Sequence, residues 1–143
     1  CMIPYLTEKS ATFVTNAVSH ALQLVENGFH VILIGGELKA STEAIVGNEA
    51  YVNLKKYNFT KGFWGTNGVR RDTGFTTPDI NESIIKSCAM EHTRNAYVLC
   101  DSSKFHQIAP VSFAAFDEAE IITDSLPDES YRNCENLTVV PES

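Results

Sequence analysis

Phe63 to Lys86, FWGTNGVRRDTGFTTPDINESIIK, carries the signals that decide this fold. An apolar pair, Phe63-Trp64, runs into a glycine-rich turn, Gly65-Thr66-Asn67-Gly68. The loop from Arg70 to Gly74 turns the chain back, and Thr77-Pro78-Asp79 opens a helix that carries Lys86. Glycine leaves backbone N–H groups unshielded, and Asn-Gly tolerates positive φ. Strand, glycine turn, polar loop and helix start together place backbone donors at a strand's carboxyl end, where an anion can be held. The same letters suit a plain hairpin, because Asn-Gly is the strongest short hairpin signal. The flanking sequence weighs between the two.

Downstream, Asp79 with Glu82 three residues on resembles a capping box. Ile80, Ile84, Ile85, Cys88 and Ala89 form an apolar stripe, with Glu82 and Lys86 as i,i+4 partners off it. Ala96 to Cys100 is a buried strand that runs into Asp101-Ser102-Ser103-Lys104-Phe105. Glu120 to Asp124 is another strand, followed by a short helix near Asp128 to Cys134 and a last strand, Leu137 to Val140. Upstream, Phe59 to Trp64 enters the opening stretch. Before it come a helix over Asn48 to Lys56 and a short strand over Thr42 to Val46. His30 to Ile34 is an unbroken apolar run ending in Gly35-Gly36, as in a parallel sheet covered on both faces. Ala11 to Thr15 is a β-branched strand. Asn16 is a suitable N-cap for a helix carrying Val18, Ala21, Leu22 and Val25, which stops at Gly28. The order strand, helix, strand repeats. It predicts an α/β fold with a mainly parallel, open sheet flanked by helices.

The chain has 143 residues and is expected to form one domain, 1–143, large enough to bury a core without disulfides or metal. Hydrophobic residues make up 43% and charged residues 20%, as in a soluble globular protein. No run of about 18 apolar residues is present to span a membrane. Net charge is −7 and the eleven basic residues are scattered, with Lys55-Lys56 and Arg70-Arg71 the densest pairs, so this chain by itself is a poor DNA binder. Cys1, Cys88, Cys100 and Cys134 lack metal-ligand or redox spacing, which points to reduced thiols and a cytoplasmic setting. Position 1 is not Met, and Met2, Ile3 and Leu6 are spaced like the tail of a helix. The chain is therefore expected to be a fragment of a longer protein.

If the strands are parallel, their carboxyl ends share one edge, where open α/β sheets bind ligands. The residues there are Thr15-Asn16, Gly35-Gly36, Gly65-Thr66-Asn67-Gly68 and Asp101-Ser102-Ser103-Lys104, with Lys86 at the helix start. Ammonium and backbone N–H groups suit a phosphate, while Asn and Asp suit hydroxyls. Together they suit a phosphorylated polyol. No nucleophile elbow, P-loop or GxGxxG is present, and His20, His30, His92 and His106 share no metal spacing, so no catalytic residue, metal or cofactor is assigned. Asp101 is the one carboxylate at a strand end that could act as a base, although a lone Asp there is more often a cap.

Read together, Asp101-Ser102-Ser103-Lys104-Phe105, Gly65-Thr66-Asn67-Gly68-Val69 and Thr15-Asn16 resemble the C-terminal sensor domain of DeoR-type bacterial transcriptional regulators. The resemblance runs end to end through TFVTNAVSHALQLVENG, VILIGGELKASTEAIVG, the opening stretch, YVLCDSSKF and EIITD. It implies a fold similar to ribose-5-phosphate isomerase and CoA-transferase relatives, and a sensor that responds to sugar phosphates. The regulator would be a homo-oligomer, a repressor of a sugar operon, that meets operator DNA through a helix-turn-helix domain preceding this chain. The resemblance also implies that a phosphate loop lies before Cys1. It carries ligand contacts onto Thr15, Asn16, Gly36, Gly65, Asn67, Gly68, Lys86, Asp101 and Lys104. The family's pattern usually has Asp where Asn67 stands, so this chain keeps the hydrogen bonding there and loses the charge. The competing reading is a sugar-phosphate isomerase with Asp101 as base and Lys104 as electrostatic stabiliser.

Overall fold

The computed structural model describes residues 2–141, so Cys1 lies outside the described residues. The chain divides into two compact units, Cys1–Lys56 and Tyr57–Ser143.

In the first unit, β1 (Thr12–Thr15) and β2 (His30–Leu33) pair in parallel, with Thr12 opposite His30 and Thr15 opposite Leu33. Parallel neighbours need a crossover, and α1 (Val18–Glu26) supplies it. The helix ends before Gly28, which takes a φ of +84° as a helix stop should. Asn16 is not the N-cap. Ala17 holds that position without a side-chain cap, and Asn16 Nδ2 instead donates to the Ile45 carbonyl at 3.1 Å. The Asn16 carbonyl in turn accepts from Ile45 N–H at 2.7 Å. Asn16 thus fastens β4 (Ala44–Val46), the second arm of an antiparallel hairpin with β3 (Glu37–Lys39). Leu38 is the only apolar residue of β3, which is why hydrophobic pattern did not reveal that arm. α2 (Asn48–Leu54) buries Ala50 and Leu54. Near the start, Ile3–Tyr5 forms a single 3-10 turn rather than a helix tail, and Ile3 packs with Leu24 and Phe29.

The second unit holds a four-stranded parallel sheet in the order β11-β10-β8-β5, built from β5 (Phe59–Trp64), β8 (Thr93–Leu99), β10 (Glu120–Thr123) and β11 (Leu137–Val139). A second sheet is antiparallel: β6 (Gly68–Arg70), β7 (Gly74–Thr77) and β9 (Val111–Ala114). Asn67-Gly68 does not turn a hairpin. It leads from β5 of one sheet into β6 of the other, and the hairpin turns at Arg71-Asp72-Thr73, closed by Gly74 at φ +72°. Val69, Phe75, Val98 and Ile121 are fully buried in the core of this unit.

α3 (Ile80–Glu91) begins at Asp79, whose carboxylate accepts from the N–H groups of Asn81 and Glu82 at 2.7 and 3.1 Å. Its packed side runs through Ser83, Ile85, Cys88 and Met90, while Ile80 and Ile84 are 57% and 44% exposed. The expected single stripe is therefore split, because Ile80 and Ile84 share an i,i+4 row off the packed side. The helix expected near Asp128 to Cys134 is only a 3-10 turn, Glu129–Tyr131. Asp128 accepts from Ser130 N–H at 2.7 Å, and such local side-chain bonds compete with helix continuation.

Candidate functional site

The carboxyl ends of the four parallel strands of the second unit surround an open depression of about 460 Å³. Gly65 and Thr66 follow β5, Leu99 to Asp101 and Lys104 come from the end of β8, Ile122 to Asp124 from β10, and Val140 from β11. The polar groups stand there because each strand's apolar run stops where its backbone leaves the sheet, which is where polar side chains and free N–H groups become possible.

Asp101 caps the 3-10 turn Ser102–Lys104: its Oδ1 accepts from Ser103 N–H at 2.9 Å and also from Ser103 Oγ. Lys104 N–H donates to the Asp101 carbonyl at 3.1 Å. The next strand end contributes Asp124, whose Oδ1 accepts from Ser102 N–H at 2.7 Å. That N–H holds the Asp124 carboxyl below the usual carboxylate range, against an opposing push from burial. Cys100 lies in the wall. Burial, then the charges of Asp101 and Asp124, push its thiol up to about 12, so it is no thiolate nucleophile near neutrality. Thr66 is buried, and its Oγ1 reaches the carbonyls of Gly68 at 2.9 Å and Thr76 at 3.1 Å.

Of the nine residues expected at the site, Gly65, Asp101 and Lys104 line this depression. Lys86 stands next to it: its Nζ donates to the Gly65 carbonyl at 2.9 Å and lies 4.9 Å from the centre of the Phe113 ring. Burial lowers its pKa, with the Glu82 charge pushing the other way. Lys86 is thus a brace of the glycine turn, in addition to feeling the Glu82 charge on its own helix. Asn67 is exposed, and its N–H donates to the Thr76 carbonyl at 3.0 Å. Gly68 is buried in β6. Thr15, Asn16 and Gly36 belong to the first unit, each with a local role. Thr15 Oγ1 accepts from Ala17 N–H at 3.1 Å. Gly36, at φ +149°, leaves no room for a Cβ, which would stand 2.8 Å from Ile45 Cγ2 and 2.9 Å from the Val46 carbonyl oxygen.

Asp124 and Thr123 were missed by sequence reasoning. The signal for Asp124 was the one used for Asp101, a polar residue directly after a strand, here Glu120–Thr123, whose last residue is Thr123. The basic pair Arg70-Arg71 is engaged within the second unit: Arg70 pairs with Asp72 at 3.0 Å, and Arg71 donates to the Ser130 carbonyl at 2.7 Å and lies over the Tyr131 ring. Among the described residues no group of three His, Cys, Asp or Glu side chains could hold a metal ion, and no helix is long and apolar enough to cross a membrane.

The family model of the DeoR C terminal sensor domain matches residues 1–125. The chain belongs to this family. The DeoR sensor domain described here is similar to HTH-type transcriptional regulators. It is 39% identical over 140 residues to a protein of Bacillus subtilis (strain 168) named as the uncharacterized HTH-type transcriptional regulator FruR, covering 97% of this chain and 56% of that protein. It is 34% identical over 120 residues to the HTH-type transcriptional regulator GlpR of Haloferax volcanii, covering 83% and 47%. With the lactose phosphotransferase system repressor of Staphylococcus epidermidis the identity is 32% over 124 residues, covering 85% and 48%. The chain spans about half the length of the curated relatives it matches.

Proposed function

We propose that this DeoR sensor domain binds a phosphorylated sugar at the strand ends of its second unit. Binding there would modulate operator recognition by a helix-turn-helix domain of the full-length regulator, a repressor of a sugar-utilisation operon. The observation that carries the reading is the depression itself. One ammonium group, Lys104, stands beside two carboxylates, Asp101 and Asp124, at the edge where open parallel sheets take ligands. Lys104 supplies charge for a phosphoryl group, and carboxylate oxygens accept from sugar hydroxyls. The names of the relatives, regulators and a repressor of a sugar transport system, support the same reading.

Calorimetric titration of the full-length protein with a panel of hexose and pentose phosphates tests it. A charge-assisted contact to phosphate is worth about 1.5–3 kcal/mol, so Lys104→Ala should weaken binding roughly ten- to a hundred-fold. Unchanged affinity in Lys104→Ala would move the site elsewhere. The isomerase reading needs Asp101 as a free base, and Asp101 Oδ1 is occupied in the cap of the following turn. Interconversion of aldose and ketose phosphates that disappears in Asp101→Asn would overturn the regulator reading. The regulator should also self-associate, because symmetric dimers match paired operator half-sites. A monomeric mass by light scattering at high micromolar concentration would count against that.

A further inference from the structure

Lys104 is the last residue of the turn Ser102–Lys104, and its value to a ligand depends on where that turn is held. Three successive backbone amides fix the turn. Lys104 N–H reaches the Asp101 carbonyl, and Ser103 N–H reaches Asp101 Oδ1. Both partners lie within the loop and move with it. The third bond, Ser102 N–H to Asp124 Oδ1 at 2.7 Å, comes from a residue 22 positions away at the end of β10. A parallel contact accompanies it, from Ser125 Oγ to Ser102 Oγ at 2.9 Å. The sheet itself stops one step earlier, at the bond from Cys100 N–H to the Ile122 carbonyl. Beyond that point the clamp from Asp124 and Ser125 ties the loop to the neighbouring strand.

Asp124 also stands in the wall of the depression, where a carboxylate is a poor neighbour for a phosphoryl dianion. Its other engagement explains its place. The Ser102 N–H is a fixed donor aimed at the ionised oxygen, the stronger kind of hydrogen bond.

We propose that Asp124 is a positioning residue for effector recognition: by holding Ser102 N–H it sets the turn that presents Lys104 to the depression. This inference rests on the reading of the depression as a sugar-phosphate site, and it acts through Lys104 rather than through contact with the phosphoryl group. Asn at position 124 keeps an acceptor oxygen for Ser102, whereas Ala removes it.

The test has one arm that needs no ligand. In the full chain, amide hydrogen exchange at Ser102 should accelerate roughly ten-fold or more in Asp124→Ala, while amides of β8 keep their protection and report an intact fold. Asp124→Asn and Lys104→Ala should leave Ser102 protected. In the second arm, fructose phosphate and ribose phosphate are titrated into the same proteins. Asp124→Ala should weaken binding roughly ten-fold, Asp124→Asn should restore most of it, and Asp124→Ala should cost nothing further once Lys104 is Ala. Unchanged exchange at Ser102 in Asp124→Ala overturns the proposal. So do additive losses from Asp124→Ala and Lys104→Ala, because they make Asp124 an independent ligand contact. If neither sugar phosphate binds the unaltered protein, the reading of the depression fails, and the exchange arm alone decides whether Asp124 holds the turn.

Discussion

A Cβ built on Gly68 would stand 2.4 Å from the carbonyl oxygen of Gln107 and 2.6 Å from Thr76 Oγ1, whereas one on Gly65 meets nothing within 4 Å. The two glycines of one turn therefore do different work. Gly68 lets two backbone segments approach inside the core, and Gly65 leaves the floor of the depression open. Gly68→Ala should cost about 1–3 kcal/mol by overpacking, while Gly65→Ala should stay within about 0.5 kcal/mol, both read by urea denaturation. Equal losses would contradict this division. Lys86 gives a second test at this scale. Its pKa is lowered in the fold by burial, so folding disfavours its charged form. That penalty is fully present below the folded pKa and fades as pH rises through it. In Lys86→Met the penalty is absent. The stability of the unaltered protein relative to Lys86→Met should therefore improve as pH rises toward the ordinary lysine value of about 10. A difference that is flat over this window would show that Lys86 is solvated.

At the scale of elements, the caps carry the testable energy. Asp79 satisfies two orphan N–H groups at the start of α3, so Asp79→Ala should cost about 1 kcal/mol, and Asn in its place should recover most of it. The turn Glu129–Tyr131 depends on Asp128. Ser130, first through its side chain, then His106 at 2.6 Å, holds this carboxyl below its ordinary range, against the opposing push of burial. A carboxylate with a depressed folded pKa stabilises above its unfolded pKa and loses that contribution as pH falls through the folded value. Asp128→Asn should thus be less stable than the unaltered protein near neutrality, and the gap should close on acidification below about pH 4. A gap that widens in acid would reverse the assignment. Asp79 and Asp101 were legible as caps because a cap is a local device, read within three residues of its helix or turn.

At the scale of the molecule, the two units differ in how their sheets are built. Both bury apolar side chains: Phe75, Phe105, Phe113 and Tyr131 stand in the core of the second, and Leu24, Phe29, Ile34, Ala50 and Leu54 are buried in the first. The parallel sheet of the first unit has two strands, whereas that of the second has four, with β8 and β10 in its interior. Two strands alone are marginally stable, and strands paired on both sides open less readily. Amides of β8 and β10 should therefore exchange more slowly than those of β1 and β2. Faster exchange in β8 would place the stable core elsewhere.

Short strand-forming runs, each ended by a polar or glycine residue, were sufficient to place β1, β2, β5, β8 and β10 and to expect parallel pairing with all carboxyl ends on one edge; the parallel pairing holds for β1 with β2 and for β8 with β5 and β10. That information is local, because strand burial and strand termination are written into consecutive residues. Only the tertiary structure decided that Asn67-Gly68 joins two sheets instead of turning a hairpin, that β3 pairs with β4, and that Asn16 reaches Ile45 rather than its own helix. It alone showed Lys86 bonded to Gly65 and Asp124 to Ser102, pairs separated by 21 and 22 positions. Polar side chains of this length can satisfy many partners. Which one they take depends on which strand ends the fold brings within about 3 Å, a distance that no spacing along the chain encodes.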